Sequence, residues 1–312
     1  MENKEQNFVS AVVYIRNSKA CVENFLRMLV DTFRENFEHS EIICVNDDSC
    51  DESVDLIREI ARTVTTIDIS LVNMSYFHGL ELSMNAGVDL AIGDFVFEFD
   101  NTFLNYDKSE IMRIYRHALK GYDIVSAYPD QKEKLSSRFF YKVFERFSNR
   151  SYRMHTESFR VLSRRVINRI GSMTKTVPYR KAVYSSQGLK TDSLSYTPTA
   201  GKKDFNDKKD KRYRVSLAVD SLILFTELGY RFSLFMTMIM MILSAFMIIY
   251  SIVIFAMANP VAGWTTTILF LSVAFFGLFG ILTIIIRYLQ LLVNLVFKRK
   301  NYSFESVEKL NQ

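Results

Sequence analysis

Glu41–Ser53 reads EIICVNDDSCDES, a short apolar run that breaks off abruptly into a polar, acidic cluster. Five residues of this kind suit a buried strand, and the break suits a strand end opening onto solvent. The pattern recurs on both sides. Phe8–Ile15 (FVSAVVYI), Ile67–Val72 and Phe95–Phe99 (FVFEF) are further strand-like runs, the last ending at Asp100. Between them, Val22–Asn36 carries Phe25, Leu26, Met28, Leu29 and Phe33 at helical spacing. Val54–Arg62 and Glu81–Ala91 read as helices, the second stopping before Gly93. Strands alternating with helices imply βαβ units, an α/β class and a mostly parallel sheet.

Ligands of an open α/β sheet bind outside the carboxyl ends of its strands. Three polar clusters fall at such ends: Asn17, then Asp47–Ser53, then Asp100–Thr102. Carboxylates converging from several strand ends suit a sugar, a nucleotide or a metal. Neither a G-x-G-x-x-G pattern nor a P-loop occurs, which disfavours a dinucleotide dehydrogenase or a P-loop ATPase. Cys21, Cys44 and Cys50 lack metal-ligand spacing and read as reduced thiols, with Cys44 in the core. His78 and His155 read as satisfied polar residues, Gly79 and Gly87 as turn and packing positions, and a zinc site is not expected. The N-terminal MENKEQNF does not read as a signal or transit peptide.

The last third differs in character. Phe232–Ala258 and Trp264–Ile286 are apolar runs without a charged side chain. Each exceeds the roughly 20 residues that a helix needs to cross a bilayer. The expected organisation is a head over 1–225, a two-helix membrane unit over 226–300 and a tail over 301–312. The 312 residues carry a formal charge of +5, and the excess is localised. Lys202, Lys203, Lys208, Lys209, Lys211, Arg212 and Arg214 precede the first run, and Lys298, Arg299 and Lys300 follow the second. The turn Asn259–Gly263 has no charge. Basic flanks stay cytoplasmic. The expectation is a multi-pass protein of the inner (plasma) membrane with both termini cytoplasmic. Such flanks suit anionic lipid rather than nucleic acid. Gly201–Arg214 is a polar, lysine-rich loop expected to be mobile.

Taken in order, SAVVYIRN, EIICVNDDSCDES and HGLELSMNAGVDLAIGDFVFEFD resemble the GT-A inverting glycosyltransferases. SSRFFYKVFERFS, ESFRVLSRR, KRYRVSLAVDSLILFTELGYR and FGILTIIIRYLQ resemble one branch, the polyprenyl-phosphate glycosyltransferases of the dolichol-phosphate-mannose-synthase and bactoprenol-glucosyltransferase type. The resemblance implies a GT-A head, a nucleotide-sugar donor, a polyprenyl (undecaprenyl) phosphate acceptor at the cytoplasmic leaflet and a homo-oligomer. Small residues such as Gly277, Gly280 and Ser272 permit close helix packing. The resemblance also implies roles. Asn17, Asp47, Asp48 and Asp100 fall at nucleotide-binding positions, with Asp48 replacing a usual small residue. Asp51 and Ser53 read as the cap of the next helix.

Asp100 matches the first carboxylate of a D-x-D signature, which implies Mg2+ or Mn2+. Hard cations take oxygen ligands and neutralise a diphosphate leaving group. The second carboxylate is absent, and Thr102 stands there with a hydroxyl. Glu98 shares a face with Asp100 only if the strand continues regularly. Arg160 matches a family arginine, Ser158 stands at a position that is acidic in some members, and Glu157 is its neighbour. With Asp100 these are the expected catalytic residues, and Arg138, Arg160 and Arg212 are expected to meet the acceptor phosphate. Arg138 and Arg146 lie on an aromatic-rich helix that suits either the headgroup plane or an ordinary surface.

A phosphate monoester is largely a dianion near pH 7, its second pKa being about 6, so its oxygen attacks without first losing a proton. Alignment and charge relief then matter more than a base. Two other readings stay open on the sequence. One is a transferase acting on a lipid-linked saccharide, whose hydroxyl needs a base, with Glu157 the candidate. The other is a degenerate, non-catalytic membrane scaffold.

Overall fold

Strand β1 (Val9–Ile15) is buried along its whole length, because its residues are apolar on both sides of the pleat. The computed structural model describes residues 4–131, 141–142, 156–173, 179–186, 188–199, 213, 215–219 and 302–311, and isolated positions between 235 and 292. Around β1 the chain lays down α1 (Lys19–Asn36), β2 (Ser40–Asn46), α2 (Ser53–Thr63), β3 (Asp68–Met74), α3 (Leu80–Leu90), β4 (Phe95–Phe99) and α4 (Ser109–Ala118). Then follow β5 (Ile124–Pro129), β6 (Phe159–Ser163), α5 (Arg164–Met173), α6 (Arg180–Ser186), β7 (Thr191–Tyr196) and β8 (Phe304–Lys309). The sheet order is β7-β5-β6-β4-β1-β2-β3-β8. β1 pairs in parallel with both β2 and β4, and β2 with β3. β6 runs antiparallel between β4 and β5, and β8 antiparallel to β3. The α/β class and the first four strands, in their order along the chain, follow the sequence reading.

Side-chain alternation sorts β1 into two cores. Val9, Ala11, Val13 and Ile15 join the cluster built by α1, α2 and α4, whereas Val12 and Tyr14 join the one under α3. The larger core is aromatic. Phe25 meets Phe99 edge-on at 5.2 Å, and Tyr115 meets Phe37 at 4.9 Å. Such pairs add roughly 0.5–1.5 kcal/mol each beyond area burial. Placing helices on both faces leaves the strand ends open for a site. The direction of connection reverses between β1 and β4, which makes their carboxyl ends the crevice of the fold.

The segment 301–312, expected as a tail, instead supplies edge strand β8. Its alternating sequence pairs Val307 with Val72 and Asn73 with Ser306. A period-two pattern beside an open strand edge satisfies backbone groups that a free tail leaves to water.

The chain divides into two units. One holds residues 1–145, 150–217 and 299–312, the other 146–149 and 218–298. Among the described residues no helix is long and apolar enough to cross a membrane. The runs Phe232–Ala258 and Trp264–Ile286 lie outside the described residues except at single positions, which are helical. Within this second unit, a Cβ on Gly277 would meet Met240 Cε at 1.9 Å. Gly277 therefore permits a close contact inside the chain. Gly280, Ser272 and most of Gly201–Arg214 lie outside the described residues.

Gly93 marks the entry to β4. A Cβ there would stand 2.6 Å from the Ser10 backbone nitrogen, and a backbone cannot step aside as a flexible side chain can. Gly93→Ala is expected to lower stability by about 1–3 kcal/mol, the usual range for overpacking. Thermal melting of the variant beside the parent reads this directly.

Candidate active site

Asp47 directly follows β2 and is fully buried. A buried carboxylate needs several donors, and three are present. Tyr14 Oη donates to Oδ2 at 2.8 Å, and the backbone N–H groups of His78 and Gly79 donate to Oδ1 and Oδ2 at 2.8 and 2.9 Å. Asp47 thus ties the β2 end to the loop between β3 and α3. Gly79 is at φ 84°, and its Cβ position is filled by the Tyr213 ring, so glycine is required there twice over. Arg16 closes the loop from the other side. Its Nη1 donates to the Asp47 carbonyl at 2.6 Å, and its guanidinium lies 4.1 Å from the Phe77 ring centre.

Asp48 and Asn17 both adopt left-handed backbone, with φ of 56° and 44°, a region where Asp and Asn are tolerated. This explains how Asp48 stands in for a small residue. Asn17 Oδ1 accepts from the Cys50 backbone at 2.9 Å, which joins the loops after β1 and β2. Asp51 was expected to cap the following helix, and it serves two helices. Its Oδ1 accepts from Ser53 N at 3.1 Å, and its Oδ2 accepts from Lys19 N at the start of α1 at 3.0 Å.

Asp100 sits at the carboxyl end of β4. Arg160 Nη2 donates to its Oδ2 at 2.8 Å and Arg180 Nη2 to its Oδ1 at 2.7 Å. Glu98 faces the same way, as regular pleating requires. Its Oε1 accepts from Tyr184 Oη at 2.9 Å, and its Oε2 lies 3.1 Å from Arg180 Nη1 and 3.4 Å from Arg160 Nε. Glu81, in the first turn of α3, accepts from Arg180 Nε at 2.9 Å. Glu157 Oε2 lies 3.3 Å from Arg160 Nε and 4.0 Å from Lys181 Nζ. Four carboxylates thus enclose Arg160, Arg180 and Lys181. The two arginines are 1% and 0% exposed, and Asp100 keeps 13% of its side-chain surface.

Register explains Arg160. It is paired with Glu98 across the antiparallel β4–β6 ladder, so its side chain shares the Glu98 face. Burial alone would raise the Asp100 carboxyl. The fields of Arg160, Arg180 and Lys181 outweigh it and hold the group well below the usual carboxylate range. Burial likewise opposes charge on Arg160, but Asp100, Glu157 and Glu98 together raise its affinity for the proton.

Ser158 faces elsewhere. Its hydroxyl lies 2.5 Å from Tyr196 Oη, and its backbone N–H bonds Ala127 O at 2.8 Å, so the structure places it in a strand-end bond rather than in the charge cluster. Arg138, Arg146, Arg212 and His155 lie outside the described residues. Arg180, Lys181, Glu81 and Tyr184 were not foreseen. Arg180 and Lys181 form an ordinary-looking basic pair, and Glu81 reads as a first-turn acid; only burial distinguishes them.

The metal ligands expected at Asp100 and Thr102 do not form a set here. Both Asp100 oxygens are engaged by guanidinium groups, and Thr102 is 2% exposed and brings a single hydroxyl. Among the described residues no group of three acids, histidines or cysteines is arranged to hold a cation.

The family model for glycosyl transferase family 2 matches residues 10–174, and the chain belongs to that family. Residues 10–174 are therefore a glycosyl transferase family 2 domain built on a GT-A-like sheet. An uncharacterized glycosyltransferase of Synechocystis sp. is 26% identical over 58% of this chain and 58% of its own length. The chain thus spans little more than half of that relative. A bactoprenol glucosyl transferase of Shigella phage SfX is 26% identical over 86% of this chain and 88% of its own. A mannosyltransferase from Pyrobaculum calidifontis, solved in complex with GDP-Man and Mn2+, is 13% identical over 70% of this chain and 63% of its own, with a TM-score of 0.49.

Removing one partner of a buried charge network costs about 3–5 kcal/mol. Arg180→Met, which strips Glu81, Glu98 and Asp100 of a common cation, is expected to destabilise by that order in a denaturant titration. The pH dependence has a definite sign. A depressed carboxyl contributes in full above its unfolded value near 4 and loses the contribution as the pH falls through its native value. Asp100→Asn should therefore melt below the parent at neutral pH, and the gap should close only below about pH 4.

Proposed function

We propose that this chain transfers one sugar from a nucleotide sugar to a polyprenyl (undecaprenyl) phosphate at the cytoplasmic leaflet of the plasma membrane, with inversion at the anomeric carbon. The observation that carries the reading is the pair of carboxylates at the carboxyl ends of β2 and β4, joined by α3. Asp47 holds the amide of Gly79, and Glu81 in the next turn holds Arg180, which in turn holds Asp100. The near full-length similarity to a transferase named for bactoprenol supports the acceptor class.

Each residue has a stated part in this proposal. Asn17, Asp47 and Asp48 shape the cleft for the nucleotide. Asp100, Arg160 and Arg180 form a rigid charged floor beside it, since each is held by at least two partners. Fixed charges of this kind align reactants without reorganising during the reaction. Arg138 and Arg212, with Arg160, are assigned to the acceptor phosphate. A phosphate nucleophile needs no proton removed. Glu157 fits that economy, because its carboxylate is already turned toward Arg160 and Lys181 rather than left open as a base. Ser158 has no part in the chemistry of this proposal.

Phe232–Ala258 and Trp264–Ile286 are proposed to span the bilayer, with both termini cytoplasmic, and the chain is proposed to assemble as a homo-oligomer. Mg2+ or Mn2+ use enters with no protein ligand set and no step assigned to it. Turnover measured with Mn2+ and with EDTA reads it directly.

The test is a screen of purified full-length protein in lipid, with nucleotide sugars and polyprenyl phosphate, read by the mass of the glycolipid. Product from at least one donor is expected. Asp100→Asn should lower turnover by on the order of a hundredfold, as loss of one preorganised electrostatic group does. Glu157→Gln should keep most activity. Its abolition would instead indicate a hydroxyl-bearing, lipid-linked saccharide acceptor.

A further inference from the structure

Strand β8 does more than close a sheet edge, because the residues around it reach the loops of the site by two routes. The first passes through His78. Its Nδ1 lies 2.5 Å from the Tyr76 carbonyl, which only accepts, so Nδ1 carries the proton. Nε2 is then a bare acceptor, and it takes the Ser303 backbone N–H at 3.2 Å. Ser75 N donates to Ser303 O at 3.2 Å, and the Ser75 and Ser303 hydroxyls meet at 2.5 Å. The 75–79 loop is thus stapled at both ends: by Ser303 on one side, and by the His78 and Gly79 amides on Asp47 at the other.

The second route runs through facing asparagines. Ser306 Oγ and Glu308 Oε1 accept from Asn73 Nδ2 at 3.1 and 3.0 Å. Asn73 Oδ1 accepts from Asn46 Nδ2 at 3.0 Å, and Asn46 Oδ1 accepts from Ser49 N at 3.2 Å. Each amide therefore has a fixed orientation, handed on from β8 to the Asp47–Ser49 turn. Further out, Asn311 bonds Ile69 N at 2.7 Å, and Arg58 pairs with Glu308 at 3.0 Å. The Asn311 bond holds the segment on without touching either loop, whereas Arg58 shares Glu308 Oε1 with the second route.

We propose that residues 302–311 are part of the donor site, with Ser303, His78 and Asn73 as positioning residues that set its affinity for a nucleoside diphosphate. The inference rests on the transferase reading above and adds to it an element from the far end of the chain. Loops at strand ends gain little rigidity from the sheet itself. Two loops pinned by one segment lose conformations before the ligand arrives, and preorganisation of this kind appears as affinity.

The experiment titrates UDP and GDP into the full-length protein by calorimetry, with melting temperature recorded for each variant. Ser303→Pro removes the N–H and the hydroxyl that meets Ser75, Asn73→Leu cuts the second route, and His78→Leu removes the acceptor. Each is expected to weaken binding by on the order of five- to tenfold, the effect of one lost hydrogen bond of about 1 kcal/mol. His78→Gln keeps an acceptor and should restore most of the affinity. Asn311→Ala, which loses bonds to Ile69, Val64 and Ile67 outside both routes, should lower the melting temperature and leave affinity unchanged. Should His78→Leu fail to fold, Ser303→Pro and Asn73→Leu decide. Folded Ser303→Pro and Asn73→Leu proteins that bind like the parent overturn the inference while leaving the transferase reading intact. A parent that binds neither nucleotide overturns that reading first, and the inference with it.

Discussion

Arg180 is a fully buried cation, and much of the site is arranged around keeping it charged. An isolated guanidinium in a protein interior is prohibitively costly. Here Glu81, Glu98 and Asp100 surround it within 3.1 Å, and each comes from a different place in the chain or a different step of a strand. Satisfying that one group fixes where α3 begins relative to β4 and where α6 enters. Arg160 repeats the requirement from β6. The buried charges act less as a source of net stability than as a specification, since few other packings satisfy them all.

In the proposed reaction, that specification serves alignment. The proposed reaction brings an anionic leaving group and an anionic acceptor to one place. A cleft that relaxed around them would lose alignment. Asp47 and Asp100 each hold elements together, Asp47 through three neutral donors and Asp100 through two cations. Where the resemblance places a second carboxylate Thr102 stands, and Asp100 is held by two guanidinium groups. Glu157 is drawn into the same cluster, whereas Ser158 turns to Tyr196.

The alternation of EIICV, FVSAVVYI and FVFEF with amphipathic helices was sufficient to read the α/β class and the first four strands. Periodicity and propensity are local, and these segments are strongly patterned. The carboxylates at strand ends were legible for the same reason, since position along a strand fixes which end a residue occupies. Arg180, Lys181 and Glu81 were illegible. Nothing in PYRKAVY or HGLEL distinguishes a buried charge from a solvated one. Burial depends on what packs above, and here that includes elements about a hundred residues apart in the chain.

The C-terminal segment makes the same point. YSFESVEKLN alternates well enough for a strand, but its partner, β3, lies more than two hundred residues earlier, and no local signal names it. The sequence by itself determined the kinds of element, their order and the acidic strand ends, because those follow from side-chain chemistry and spacing. Tertiary structure alone decided which charges are buried together, which cations engage the two Asp100 oxygens and which strand closes the sheet. Those depend on register and desolvation, properties of segments brought together only in the folded chain.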